Sequence, residues 1–128
     1  MTIGLDPHAG VDQWYIYEYF EPVLEIDRRR YPSSSQIREW MHSLRFADCL
    51  TREVQHLPVR LSARAAIEQG RLDKHVTSQL SVLTDDEYHR GIDRVRRALQ
   101  SAEARGESLY LDADLRLYAT FGSIPSFD

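Results

Sequence analysis

The chain has 128 residues, 42% of them hydrophobic and 28% charged, and a chain of this size and balance forms one domain that buries about two thirds of its unfolded surface. A net charge of -4 and a pI near 5.7 argue against nucleic acid as a main partner, because phosphate binding needs a concentrated basic face. Cys49 is the only cysteine, which excludes an internal disulfide, a cysteine zinc site and a CxxC redox pair and fits a reducing cytoplasm.

No apolar run approaches the roughly 18 residues that cross a bilayer, and "MTIGLDPHAG" lacks the basic and apolar regions of a signal peptide. The expectation is a cytoplasmic protein with no membrane partner. "DRRRY" at 27–31 and "RVRR" at 94–97 are the basic clusters; with acids close by, each reads as a solvated helix face or loop.

Residues 10–20, "GVDQWYIYEYF", hold Trp14, Tyr15, Tyr17, Tyr19 and Phe20. Apolar side chains point in every helical direction, so the segment reads as a helix buried on most sides or lining a cavity, with Asp12 as its cap and Pro22 as its end. The alternation of Tyr15, Tyr17 and Tyr19 also suits a strand. In "YPSSSQIREWMHSLRF", Ser33 caps a helix and Gln36 closes a capping box. Ile37, Trp40, Met41 and Leu44 fall at i, i+3, i+4 and i+7, which predicts one buried face. In "HLPVRLS", Leu57, Val59 and Leu61 alternate with His56, Pro58 and Arg60, a strand that Pro58 places at an edge or bulge.

Residues 63–76 read as a short helix interrupted near Gly70. "TDDEYHRGIDRVRRALQSAEARG" has a Thr84 cap, Glu87 at the box position, acids in the first turn and Gly106 as the stop. Its stripe is Tyr88, Ile92, Val95, Leu99 and Ala102, and Gly91 within it implies a close packing contact. In "LYLDADLRLYATF" every odd position from Leu109 is apolar or alanine and every even one is polar or tyrosine, a long strand with one wet face. The expected fold is α+β, with antiparallel neighbouring strands near 48–61 and 108–121 and helices at 33–45 and 85–105 packed on the sheet. Ile37, Trp40, Met41, Leu44, Tyr88, Ile92, Val95, Leu99, Leu111, Leu115 and Leu117 are the expected core.

Chemistry-bearing patterns are few. The five histidines, His8, His42, His56, His75 and His89, include no i, i+4 pair to hold a metal. Asp85, Asp86, Glu87 and His89 lie in a first helical turn, where acids are expected. Asp112 and Asp114 share a strand face, as paired acids or as solvated positions. The glycines 4, 10, 70, 91, 106 and 122 stand apart, so no GxGxG or GxGxxG turn exists.

"IGLDPHAGVDQWYIYEYFEPVLEIDRRRYPSSSQIREWMHSLRF" resembles the middle-to-late part of class I S-adenosylmethionine-dependent methyltransferases of the small-molecule type. In that family a "T-x-D-P" segment, an aromatic stretch with "YF-P", "ID-x-x-R-x-P-S" and a helix closing on "GF" follow one another. The rest resembles the family's closing antiparallel pair with helices inserted between its strands, a truncated Rossmann-like α+β fold. Where the family has Gly-Phe this chain has Arg45 and Phe46, so a non-glycine residue must take the left-handed helix end or another ending must replace it. The family's glycine-rich loop and its ribose-binding acid belong to a first half that has no counterpart in these residues.

The resemblance implies the substrate-side half. It places Trp14, Tyr15, Tyr17 and Tyr19 against a substrate, with a packed aromatic core as the alternative, and it implies no catalytic, cofactor-binding or metal-binding residue. The isolated chain is expected to bind no cofactor, S-adenosylmethionine entering only if a partner supplies the missing half. Two functions follow: a methyltransferase-like module that binds a small molecule or self-associates as a homodimer with residues 10–20 near the interface, or the substrate-side subunit of a split methyltransferase.

Overall fold

The computed structural model describes residues 1–125. The alternating segment forms strand β4 (Tyr110–Ser123), the axis of the fold. It pairs antiparallel along its length with β3 (Ala47–Ser62), from Ser62 opposite Tyr110 to Ala47 opposite Ser123. Its other side takes two short strands, β1 (Thr2–Gly4) opposite residues 118–120 and β2 (Gln13–Trp14) opposite residues 113–114, both antiparallel. The two strands read from the sequence are therefore present, adjacent and antiparallel. β3 pairs only with β4 among the described residues, so Pro58 stands on an edge strand, where a missing N–H is tolerated. The ladder shifts register at residues 48–49 and at Val54, and Asp48 has φ +53°.

The main core lies on the face carrying the odd residues of β4. There Leu111 meets Ile16 and Phe20 of α1 (Tyr15–Tyr19), Val23 of α2 (Pro22–Arg30) and Ala63 and Ala66 of α4 (Ala63–Glu68). Leu80 of α5 (Ser78–Ser81) and Ile92 and Val95 of α6 (Asp85–Ala104) complete it. α6 begins with a full capping box: Glu87 N–H donates to Thr84 Oγ1 at 3.1 Å and Thr84 N–H donates to Glu87 Oε1 at 2.9 Å. Gly91 earns its place by contact, since a Cβ there would lie 2.1 Å from Cδ1 of the fully buried Phe20.

Three helix ends share one device. After α4 and α6, Gly70 and Gly106 each take φ +70°, while Arg71 N–H donates to Ala66 O and Glu107 N–H donates to Ala102 O, the six-to-one bond of the Schellman motif. α3 (Ser34–Ser43) ends the same way, with Phe46 N–H donating to Met41 O at 3.0 Å. Here the left-handed residue is Arg45, at φ +66°, so the side chain accepts the strain that glycine avoids.

Several expectations are corrected. Residues 10–20 are not one helix: Gln13 and Trp14 join the sheet, and only Tyr15–Tyr19 coil. Asp12 caps nothing; its Oδ1 accepts the Arg116 N–H at 2.9 Å. Pro22 opens α2 instead of closing α1, because a proline at the first helical position gives up an N–H with no intrahelical partner. Ser33 does cap α3 through Gln36 N–H at 3.0 Å, but the Gln36 side chain makes no return bond, and Asp6 Oδ2 takes Ser34 N–H at 3.0 Å.

The stripe of α3 is also shallower than its periodicity implies. Ile37 and Met41 are half-buried, whereas Trp40 is 53% and Leu44 73% exposed. α3 lies over the even, polar face of β4, where Arg38 donates to Thr51 Oγ1, which bonds Thr120 Oγ1 at 3.0 Å. Thr120 is thus 1% exposed, and the supposedly wet face is covered at this end. The odd face, conversely, is not covered throughout: Leu115 and Leu117 are half-buried and Val59 is 44% exposed.

Candidate small-molecule pocket

The N-terminal turn, β2 and the two helices that follow border a half-open cavity of about 400 Å³, within the range of small-ligand sites. Trp14 and Tyr17 form its aromatic part, Leu24 adds an apolar wall, and Asp12, Glu18 and Arg28 supply charge. β2 pairing at Ala113 holds the Trp14 backbone, and α1 then carries Tyr17 round so that the two rings meet edge to face, 5.2 Å between centroids at 73°. Such a pair is favourable beyond its area burial.

Tyr17 is anchored at its far end. Its hydroxyl donates to Asp27 Oδ2 at 2.8 Å, and Asp27 is 1% exposed. Burial, then the bond to the Asp27 carboxylate, push the Tyr17 hydroxyl far above its usual range, so it stays a neutral donor. The other Asp27 oxygen has Arg30 Nη1 at 3.9 Å and no hydrogen bond. Arg28 is held by donating from Nε to Pro7 O at 3.2 Å.

Asp12 has a satisfied and an unsatisfied oxygen. Oδ1 takes the Arg116 N–H, whereas Oδ2 is closed off from solvent without a partner. Burial raises its pKa against the bond and charge of Arg116, and the Asp114 and Asp6 carboxylates add to the rise. The two aromatic rings beside Asp12 can take a flat apolar body.

The four aromatic candidates separate. Trp14 and Tyr17 line this cavity. Tyr15 packs on the core and edge-on to Trp14, 6.4 Å between centroids, and it is not part of the cavity wall. Tyr19 borders a smaller cleft of about 160 Å³ with Gly91 and Arg94, its backbone carbonyl accepting from Arg94 at 3.2 Å. Gly10, Asp12, Glu18, Leu24 and Arg28 were missed by sequence reasoning. Asp12 and Gly10 could have been found, since an Asp and a Gly in an aromatic-flanked turn suit a loop as well as a cap.

The remaining acid clusters have structural work. On the open face of the ribbon Asp112 bonds Arg60 Nε at 2.8 Å and Asp114 bonds His56; these bonds hold both carboxyls below the usual range, opposite to what a general acid needs. Asp85 pairs with Lys74 at 2.7 Å. Among the described residues no group of three or more His, Cys, Asp or Glu could hold a metal ion. Of the glycines, Gly70 and Gly106 end helices, Gly91 admits Phe20, Gly4 and Gly122 lie in strands, and Gly10, at φ +72°, borders the cavity. No protein-family model matches the chain, and no curated protein or solved structure matches it.

Proposed function

We propose that the chain is a methyltransferase-like small-molecule binding module without catalysis of its own. The observation that carries this reading is the cavity of about 400 Å³ walled by Trp14 and Tyr17, two of the four rings that the resemblance places against a substrate. The likeness to a methyltransferase's substrate-side half draws support from the closing antiparallel pair, β3 and β4, with α4, α5 and α6 between them. It draws support too from Arg45, which takes the left-handed position that glycine fills in that family.

The test is a nitrogen–proton correlation spectrum recorded against a set of small aromatic compounds, neutral, cationic and anionic. At least one is expected to shift the Trp14 indole N–H and the Gly10 and Gln13 amides together. A set that leaves all three resonances unmoved would sink the reading.

A second reading, association with another chain, is favoured by a different observation. Val59, Leu115 and Leu117 share one sheet face and stay partly exposed, and apolar strips of that kind mark interaction surfaces. A second copy of this chain is the simplest occupant, and the alternative is a separate cofactor-binding half.

A further inference from the structure

A second cleft, of about 370 Å³, lies beyond the end of α2, lined by Arg28, Arg29 and Arg30 with His8, Gln36 and Trp40. No carboxylate lines it among the described residues. Asp6 is 8% exposed and accepts His8 N–H and Ser34 N–H, both at 3.0 Å, Asp27 holds Tyr17, and the exposed Glu25 and Glu39 lie outside the lining. The cleft is therefore an electropositive concavity on a chain whose net charge is -4.

The arginines differ in what they already do. Arg30 is tied to Tyr31 Oη at 3.1 Å and Ser78 O at 3.4 Å and has the Asp27 carboxylate at 3.9 Å, and Arg28 has given only its Nε, to Pro7 O. Arg29 makes no hydrogen bond or ion pair among the described residues. Favourable interaction with a helix C-terminus accounts for positive charge in this last turn, but it does not account for Trp40, whose indole borders the same cleft 53% exposed. Guanidinium groups recognise tetrahedral oxyanions through paired N–H donors, and an exposed indole offers a flat face to a ring.

We propose that this cleft binds a small phosphate monoester carrying an aromatic ring, with the phosphate on Arg28 and Arg29 and the ring against Trp40. The site is separate from the Trp14–Tyr17 cavity, with which it shares only Arg28. A phosphate monoester fits better than a carboxylate because its three oxygens can take donors from both guanidinium groups at once.

The experiment compares phenyl phosphate, inorganic phosphate and phenol by nitrogen–proton correlation spectra that include the indole and guanidinium Nε resonances. Phenyl phosphate is expected to shift the Trp40 indole and Arg29 Nε and to bind at least about tenfold more tightly than either fragment. Arg29→Ala should weaken phenyl phosphate by about tenfold. Trp40→Ala should bring phenyl phosphate down to the affinity of inorganic phosphate while leaving inorganic phosphate unchanged. Both side chains are exposed, so the variants keep the fold, which the spectra check directly. Phenol binding as tightly as phenyl phosphate, equal affinity of phenyl phosphate and inorganic phosphate, unchanged binding in Arg29→Ala, or no shift at Trp40 would each overturn the proposal.

Discussion

At residue 91 a missing side chain decides how two helices meet. Glycine within a helix costs about 1 kcal/mol relative to alanine, and here that cost admits the ring of Phe20, which then stacks on Tyr88 with centroids 6.0 Å apart. Gly91→Ala is expected to lower stability by about 1–3 kcal/mol despite the better propensity, because the added methyl overpacks a ring that cannot move aside. Urea unfolding measures it, and the double variant Gly91→Ala with Phe20→Leu should recover part of the loss. A neutral or stabilising Gly91→Ala would mean that the ring has room to give. Asp12 makes the complementary point about polar residues: its second oxygen is closed off from solvent without a partner, a cost to stability that the bond from Arg116 N–H to the first oxygen partly offsets.

The helices show how far local rules reach. Ser33, Ser62, Thr77 and Thr84 all accept a backbone N–H from the first turn of the helix they precede, and each gives the exposed amides a partner that an apolar residue would not. At the C-terminal ends of α3, α4 and α6 the Schellman bond forms whether or not glycine is present, so Arg45 sits at φ +66° under strain. Arg45→Gly is expected to raise stability by about 1 kcal/mol, the difference between a β-carbon and none in the left-handed region. A higher midpoint of guanidinium unfolding with an unchanged slope would report it. A fall in the midpoint would show that the Arg45 side chain contributes more than its backbone strain costs.

At the scale of the molecule, the β3–β4 ribbon is covered in a staggered way. α3 lies over the far end of the even face, α1, α4 and α6 gather on the near end of the odd face, and Val59, Leu115 and Leu117 fall between. Residues 10–20 pair and pack within one chain, so a dimer needs no exchange of that segment and the apolar strip becomes its contact. Edge pairing through β3 is hindered, since Pro58 and two register shifts interrupt the free edge. Light scattering at micromolar concentration is expected to give twice the 14.9 kDa chain mass, and Val59→Ser with Leu117→Ser should return it to the single-chain value with the fold intact. A single-chain mass in the parent protein would leave the strip without that occupant.

What the sequence determined by itself is whatever depends on neighbours a few residues apart. The helix starts at Ser33 and Thr84 and the strand alternation follow from spacing and steric rules within one turn or one pleat, and Gly91 announced a close contact whose partner, Phe20, only the tertiary fold supplies. Tertiary structure alone decided which faces are covered. The α3 stripe has helical periodicity, yet over the polar sheet face only Ile37 and Met41 are half-buried while Trp40 and Leu44 remain exposed. Asp12 has the composition of a helix cap, but the Arg116 N–H that claims it lies 104 residues away. The two clefts were hidden for the same reason. Trp14 and Tyr17 share a cleft with Arg28, and Arg29 shares one with Trp40, only once β2 has docked on β4 and α3 follows α2 through the turn at residues 31–33, and a linear pattern carries no record of such a meeting.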